Sequence, residues 1–209
     1  MARPSNSEAR RSEITRALMK VMSKRGYDGA TIADIAKAAK LTPGLVHYHF
    51  ESKQEILLEL LSWLVARRDA ALEARLAAAK SPVEEVEAFI DFHLGLGADA
   101  DPEALACWIL LSGEALRDKA VRAAFEAAVA RSRSRLAAAI RRGKEQGLFS
   151  VESVDAAAGA LVALGQGYFV LAASAPSVIE RGSAAAAAKR MASGLLYPSR
   201  PPKRRRRRA

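Results

Sequence analysis

His47 and His49 flank Tyr48 in the stretch TPGLVHYHFESK, residues 42–53, and make up two of the chain's three histidines. Histidine is the commonest metal ligand and a ready general base at neutral pH, so a metal site or an acid–base pair is the first chemistry to weigh. A helix turns about 100° per residue, which sets the two rings about 200° apart, on opposite faces. From a regular helix they cannot chelate one ion, and no cysteine or third histidine stands nearby to complete a metal site. No carboxylate or hydroxyl is spaced to orient either ring as a base. The chain also holds no Gly-rich phosphate loop, no Gly-x-Ser-x-Gly, no His-Glu-x-x-His and no cysteine pair. No enzyme, metal site or cofactor is expected, and the stretch is left with display: it is a surface for reading another molecule.

On a helix over this stretch, Leu45, Val46, His49 and Phe50 share one side, while Pro43, Gly44, His47, Tyr48 and Glu51 share the other. The second face is slim at its start and polar-aromatic at its end. Such a helix fits deep in the major groove of double-stranded DNA, where base edges present a full donor and acceptor code. Thr31 and Thr42 put hydroxyls beside the free N–H groups of helix starts, a seat for phosphate oxygens, and Lys53 adds a cation beside the same backbone. Charge agrees with a polyanion partner at this end. The first 53 residues carry 10 basic and 5 acidic side chains, residues 54–199 carry 16 and 18, and the last ten carry 7 and 0.

The elements that must hold this face are all helical, because no run alternates with period two and β-branched residues are sparse. A first helix, about 8–24, places Ile14, Leu18, Val21 and Met22 on one face and breaks at Gly26 and Asp28-Gly29. Thr31 and Asp34 have the spacing of a reciprocal cap for a second helix, with Ile32, Ile35, Ala36 and Ala39 inward. A turn centred on Lys40-Leu41 leads to a third, capped by Thr42 and opened by Pro43. This is a helix-turn-helix pattern. Ser52 and Glu55 then form a cap pair for a long fourth helix, to about 79, with further helices expected at about 82–97, 102–116, 118–146, 152–174 and 183–196.

Residues 26–57, GYDGATIADIAKAAKLTPGLVHYHFESKQEIL, resemble the TetR family of bacterial transcriptional regulators. The shared pattern is a glycine, a threonine opening helix two, Ile-Ala, a short turn, a glycine in helix three, His-Phe, and a lysine three residues after the Phe. With the first helix the likeness spans about 45 residues. It implies that Thr31, Thr42, Tyr48, His49 and Lys53 contact DNA, largely at phosphates, while Pro43, Gly44 and His47 approach bases. Lys40 stands where the family usually has a turn glycine, adding a cation near DNA. His47 stands where it usually has tyrosine.

The expected architecture is all-α: a helix-turn-helix DNA-binding domain at 1–53, a larger helical effector-binding and dimerisation domain at 54–198, and a disordered, low-complexity basic tail at 199–209. The helix at 152–174 is apolar on every side and long enough to cross a bilayer, but its Gly, Ala, Ser and Gln content favours burial within protein over a membrane span. Small residues permit close approach, so this helix and 183–196 are expected to pair with their copies in a four-helix homodimer interface. A dimer implies a palindromic operator. Phe89, Phe92, His93, Trp108, Gln166, Tyr168 and Phe169 are candidates to line a cavity for an unidentified small-molecule effector. The run around Trp108 resembles the BetI-type branch of the family, and aromatic cages suit quaternary ammonium ions. In the family an effector lowers DNA affinity, which implies a repressor. Cys107, among apolar neighbours, reads as a buried inert thiol, and with no signal peptide apparent a cytoplasmic setting is expected.

Overall fold

The computed structural model describes residues 6–95 and 101–197, so the basic tail expected at 199–209 lies outside the described residues. Those described form nine helices and no strand: α1 (Asn6–Arg25), α2 (Ile32–Ala39), α3 (Pro43–His49), α4 (Lys53–Leu76), α5 (Pro82–Leu94), α6 (Pro102–Glu114), α7 (Lys119–Glu145), α8 (Val154–Ser174) and α9 (Ser183–Leu196).

Local chemistry sets the ends of the first four. Gly26 takes the left-handed conformation, φ 72°, and returns its N–H to Met22 O, closing α1. Thr31 Oγ1 accepts the Asp34 N–H at 3.1 Å, and the Asp34 carboxylate accepts the Thr31 N–H at 3.4 Å and its hydroxyl at 2.7 Å. That hydroxyl, foremost, holds the Asp34 carboxyl below its ordinary range. Thr42 Oγ1 accepts the Leu45 N–H at 3.2 Å, and Pro43 fills the first helical position. Ser52 Oγ accepts the Glu55 N–H at 3.1 Å, whereas the Glu55 carboxylate reaches one residue further back, to the Glu51 N–H at 2.8 Å.

Burial then ties these pieces together. Ile14, Leu18 and Met22 of α1 meet Ile35 and Ala36 of α2, Val46 and Phe50 of the α3 end, and Ile56, Leu57, Leu60, Leu61 and Leu64 of α4. The same core continues into Cys107, Trp108 and Leu111 of α6 and Val121 of α7. Because α1 is packed by α2, α3, α4 and α6, it also buries Thr15, Ala17 and Met19, more than the one face its pattern suggested. A second core gathers Leu72 of α4 with Val86, Phe89 and Ile90 of α5, Leu136 and Ile140 of α7, Leu161 and Val162 of α8, and Ala188, Ala192 and Leu196 of α9.

Two placements differ from expectation. Leu45, expected inward, is 36% exposed, because a helix of seven residues seats only Val46 and the following Phe50 in the core. The helix expected to be enclosed on all sides, α8, buries Ala157, Ala158, Leu161, Val162 and Gly165 but leaves Ala156, Ala160, Ala163, Gly167 and Val170 exposed. Among the described residues α8 is the one helix long and apolar enough to cross a membrane, and it lies packed along α7.

Lys40 ends α2 with φ 59°, alone among the described non-glycine residues in having positive φ. An L side chain there costs on the order of 1 kcal/mol relative to glycine. Lys40→Gly is expected to raise the free energy of unfolding by roughly 0.5–1 kcal/mol, read from urea denaturation midpoints; an unchanged or lower midpoint contradicts strain at this turn.

Candidate nucleic-acid interface and effector cavity

The third helix is too short to hold its own position, since isolated helices below about 12 residues are marginal in water. Val46 and Phe50 pin its underside, and Arg11 of α1 clamps its end. The Arg11 guanidinium donates to His49 O, to Glu55 at 3.0 Å and to Glu59 at 3.3 Å, with its central carbon 3.9 Å from the Phe50 ring centroid. Burial weighs against the Arg11 charge, but its hydrogen bonds to Glu55 and Glu59, with their negative charges, outweigh it and raise the pKa. What α3 then exposes is Pro43, Gly44, His47 and Tyr48, the last 80% exposed, with Leu45 at 36%. A side chain at Gly44 would meet open space, so another molecule can approach the backbone there closely.

Thr31, Lys40 and Thr42 are exposed as well. His49 is half-buried, its ring edge-on to Tyr48 at 5.0 Å. The Lys53 ammonium donates to Tyr27 O at 2.9 Å and stands 4.3 Å from the Tyr27 ring centroid, tying the α1–α2 loop to α4.

Of the residues proposed from sequence for an effector cavity, Phe89, His93, Trp108, Gln166 and Phe169 line a cavity between α4, α5, α6, α7, α8 and α9. The room inside it for water-sized molecules is about 20 Å³, and the wider 490 Å³ of non-atom space includes open solvent. Trp108 Nε1 donates to Gln166 Oε1 at 2.9 Å, and His93 stacks on Phe89 at 4.1 Å. Phe92 and Tyr168 are not in the lining. Phe92 instead packs on the second core beneath Arg75, whose guanidinium carbon is 5.5 Å from the ring. The residue sequence reasoning missed is Arg68, which enters the lining with its guanidinium 5.2 Å from Trp108 and 5.3 Å from Phe169. The signal was present: Arg68 continues the buried stripe of α4, Leu57, Leu61, Leu64 and Leu72, at three- and four-residue spacing.

Helix α6 stands between the cavity and α1. Trp108 lines the cavity, while its neighbour Cys107 is buried against α1 with its thiol donating to Met19 O at 3.4 Å. Burial, then Glu103 and Asp101, push that thiol up to about 12, so it is inert as expected. At the other end of α6, burial first and then Glu114, Asp118 and Asp28 push Tyr27 up to about 12. Among the described residues no group of three or more His, Cys, Asp or Glu is arranged to hold a metal.

Comparison with known proteins matches residues 14–60 to bacterial regulatory proteins of the tetR family, and residues 82–197 to the C-terminal part of BetI-type transcriptional repressors. The HTH-type transcriptional regulator BetI of Rhizobium meliloti (strain 1021) is 34% identical over 134 residues, 63% of this chain and 64% of that relative's length. Among solved structures, a putative transcriptional regulator from Saccharomonospora viridis in complex with choline is similar at TM-score 0.78 and 25% identity, covering 91% of this chain and 96% of that one. A putative regulator from Pseudomonas aeruginosa PAO1 shares the fold at TM-score 0.80 and 20% identity, covering 92% of each chain.

His93 generates a pH prediction. Burial first, then the nearby Arg68 charge, lower its pKa from 6.5 to about 3, while its Nδ1–H donates to Phe89 O at 2.8 Å. Between these values the unfolded chain takes up a proton that the folded one refuses, so stability is full above about pH 6.5 and falls with pH toward 3. His93→Phe is expected to lessen that slope by up to about 1 kcal/mol per pH unit, measured by urea unfolding at several pH values; an identical slope contradicts the assignment.

Proposed function

Because the chain belongs to the TetR family of bacterial regulatory proteins, with a C-terminal part of the BetI type, we propose that it is a homodimeric, cytoplasmic repressor that reads a palindromic DNA operator and releases it when a small-molecule effector binds. The observation that carries this reading is the exposed Pro43, Gly44, His47 and Tyr48 face, held rigid by Val46, Phe50 and the Arg11 clamp. In this reading, residues 1–53 grip DNA and residues 54–198 bind effector and partner. Pro43, Gly44 and His47 meet base edges, while Thr31, Lys40, Thr42, Tyr48 and His49 hold the phosphate backbone. Lys53 contributes its charge while it remains bonded to Tyr27.

The dimer is supported by surfaces that one chain leaves uncovered. Ala156, Ala160, Ala163, Gly167 and Val170 recur every three or four residues along α8, and Met191 and Leu195 of α9 are 55% and 36% exposed. Paired with its copy, each such face is covered and two reading helices are set one DNA turn, or a multiple, apart. The neighbour holding choline supports the cavity as the effector site. An effector there presses on Trp108, and α6 passes the change to α1 through Cys107. It favours release only if it binds the DNA-free shape more tightly, and DNA must then weaken effector binding by the same factor.

Equilibrium binding to the DNA flanking the gene, against random duplex at moderate salt, tests the reading. Tyr48→Ala is expected to weaken binding to every sequence, whereas changes at Pro43, Gly44 or His47 shift sequence preference by roughly 1–3 kcal/mol per base pair. No preference by the unaltered protein, or equal losses on specific and random DNA for all four positions, refutes it. Ala163→Arg is expected to yield folded monomers in sedimentation analysis and to lose most operator affinity. A dimer that persists places the interface elsewhere.

A further inference from the structure

The cavity is apolar and aromatic but has a cation inside it. Arg68 lies over the faces of Trp108 and Phe169, and it makes no hydrogen bond or ion pair among the described residues. The nearest acid in sequence, Asp69, is engaged elsewhere, with Arg135 at 2.6 Å and Arg131 at 3.7 Å. No Asp or Glu is among the lining residues, whose other polar groups are Ser132, Gln166 and His93. Gln166 is bonded to Trp108, and His93 is neutral near pH 7. Burial weighs against the Arg68 charge, and the nearby Asp69 charge and the cation–π contacts offset that only in part. A cationic ligand would have to enter beside a positive charge that has no bonded acidic partner, in poorly screened surroundings. A singly charged anion would supply the missing partner, in the planar two-pronged geometry that guanidinium and carboxylate share.

We propose that the cavity takes a monocarboxylate with an apolar body, and that Arg68 binds the carboxylate while Phe89, Trp108 and Phe169 pack on the body. One carboxylate balances one guanidinium, whereas a phosphate dianion would leave net charge buried. The proposal rests on the cavity being the effector site. It assigns this chain a ligand of opposite charge to the choline in its solved neighbour.

The test uses the full-length protein carrying Trp63→Phe, so that the fluorescence of Trp108 reports the cavity. Phenylacetate, phenethyl alcohol and benzyltrimethylammonium are titrated near neutral pH at constant ionic strength. Phenylacetate is expected to bind at least about tenfold more tightly than the alcohol, with the ammonium ion weakest. Arg68→Met, which removes an unpaired charge from apolar surroundings and so preserves the fold, is expected to erase the preference, and Arg68→Lys to retain much of it. The proposal is overturned if phenylacetate does not bind, if the alcohol or the ammonium ion binds as tightly, or if Arg68→Met leaves the preference intact. Ligand-free DNA binding by the same preparations tells the two readings apart. Sequence preference without carboxylate preference sinks only the ligand assignment, and the converse sinks only the regulator reading.

Discussion

The Arg11 guanidinium is the point at which α1, α3 and α4 are joined, and the functional surface depends on it. A seven-residue helix with one buried side chain of its own has no independent preference for any orientation. Its direction is imposed from outside, by a cation that bonds the His49 carbonyl, stacks on Phe50 and is held in turn by Glu55 and Glu59. Since both carboxylates belong to α4, the reading face is referenced to the long helix that runs on into the second core at Leu72. Geometry at the exposed face is therefore inherited from the body of the protein.

The same economy governs α6. On consecutive residues it offers Cys107 to the α1 backbone and Trp108 to the cavity, so a ligand that moves the indole acts one residue from the helix that anchors the head. Close packing leaves little slack between the two, which is why a small displacement at a cavity wall has to be absorbed as a shift of a neighbouring helix. Tyr27 at the far end of α6 and Lys53 at the start of α4 tie the α1–α2 loop into the same frame.

What the sequence disclosed was what is decided locally. The caps at Thr31, Thr42 and Ser52 involve partners three residues away, and each was legible from spacing alone. The turn glycine usual in the family at the place of Lys40 pointed to the positive φ found there. Less legible was what depends on distant partners. Leu45 obeys helical phase yet stays 36% exposed, because so short a helix seats only Val46 and the following Phe50 in the core. Composition marked α8 as apolar all round but could not say that one face remains uncovered in a single chain. Phe92 and Phe89 look alike in sequence, and only the packing of α5 sends one to the cavity and the other beneath Arg75. Arg68 was hidden by its type: a charged residue on a buried stripe is easily read as solvent-facing, and its meaning emerges only with Trp108 and Phe169 around it.

The central claim is that the clamped face of α3 reads base edges, and that it does so in two-fold pairs. Selection of bound duplexes from a random pool by the full-length protein tests this most directly. The account predicts enrichment of an inverted repeat whose half-sites are centred about one helical turn, or a multiple, apart. A bound pool that stays random in sequence, or that converges on sites without two-fold symmetry, would contradict it.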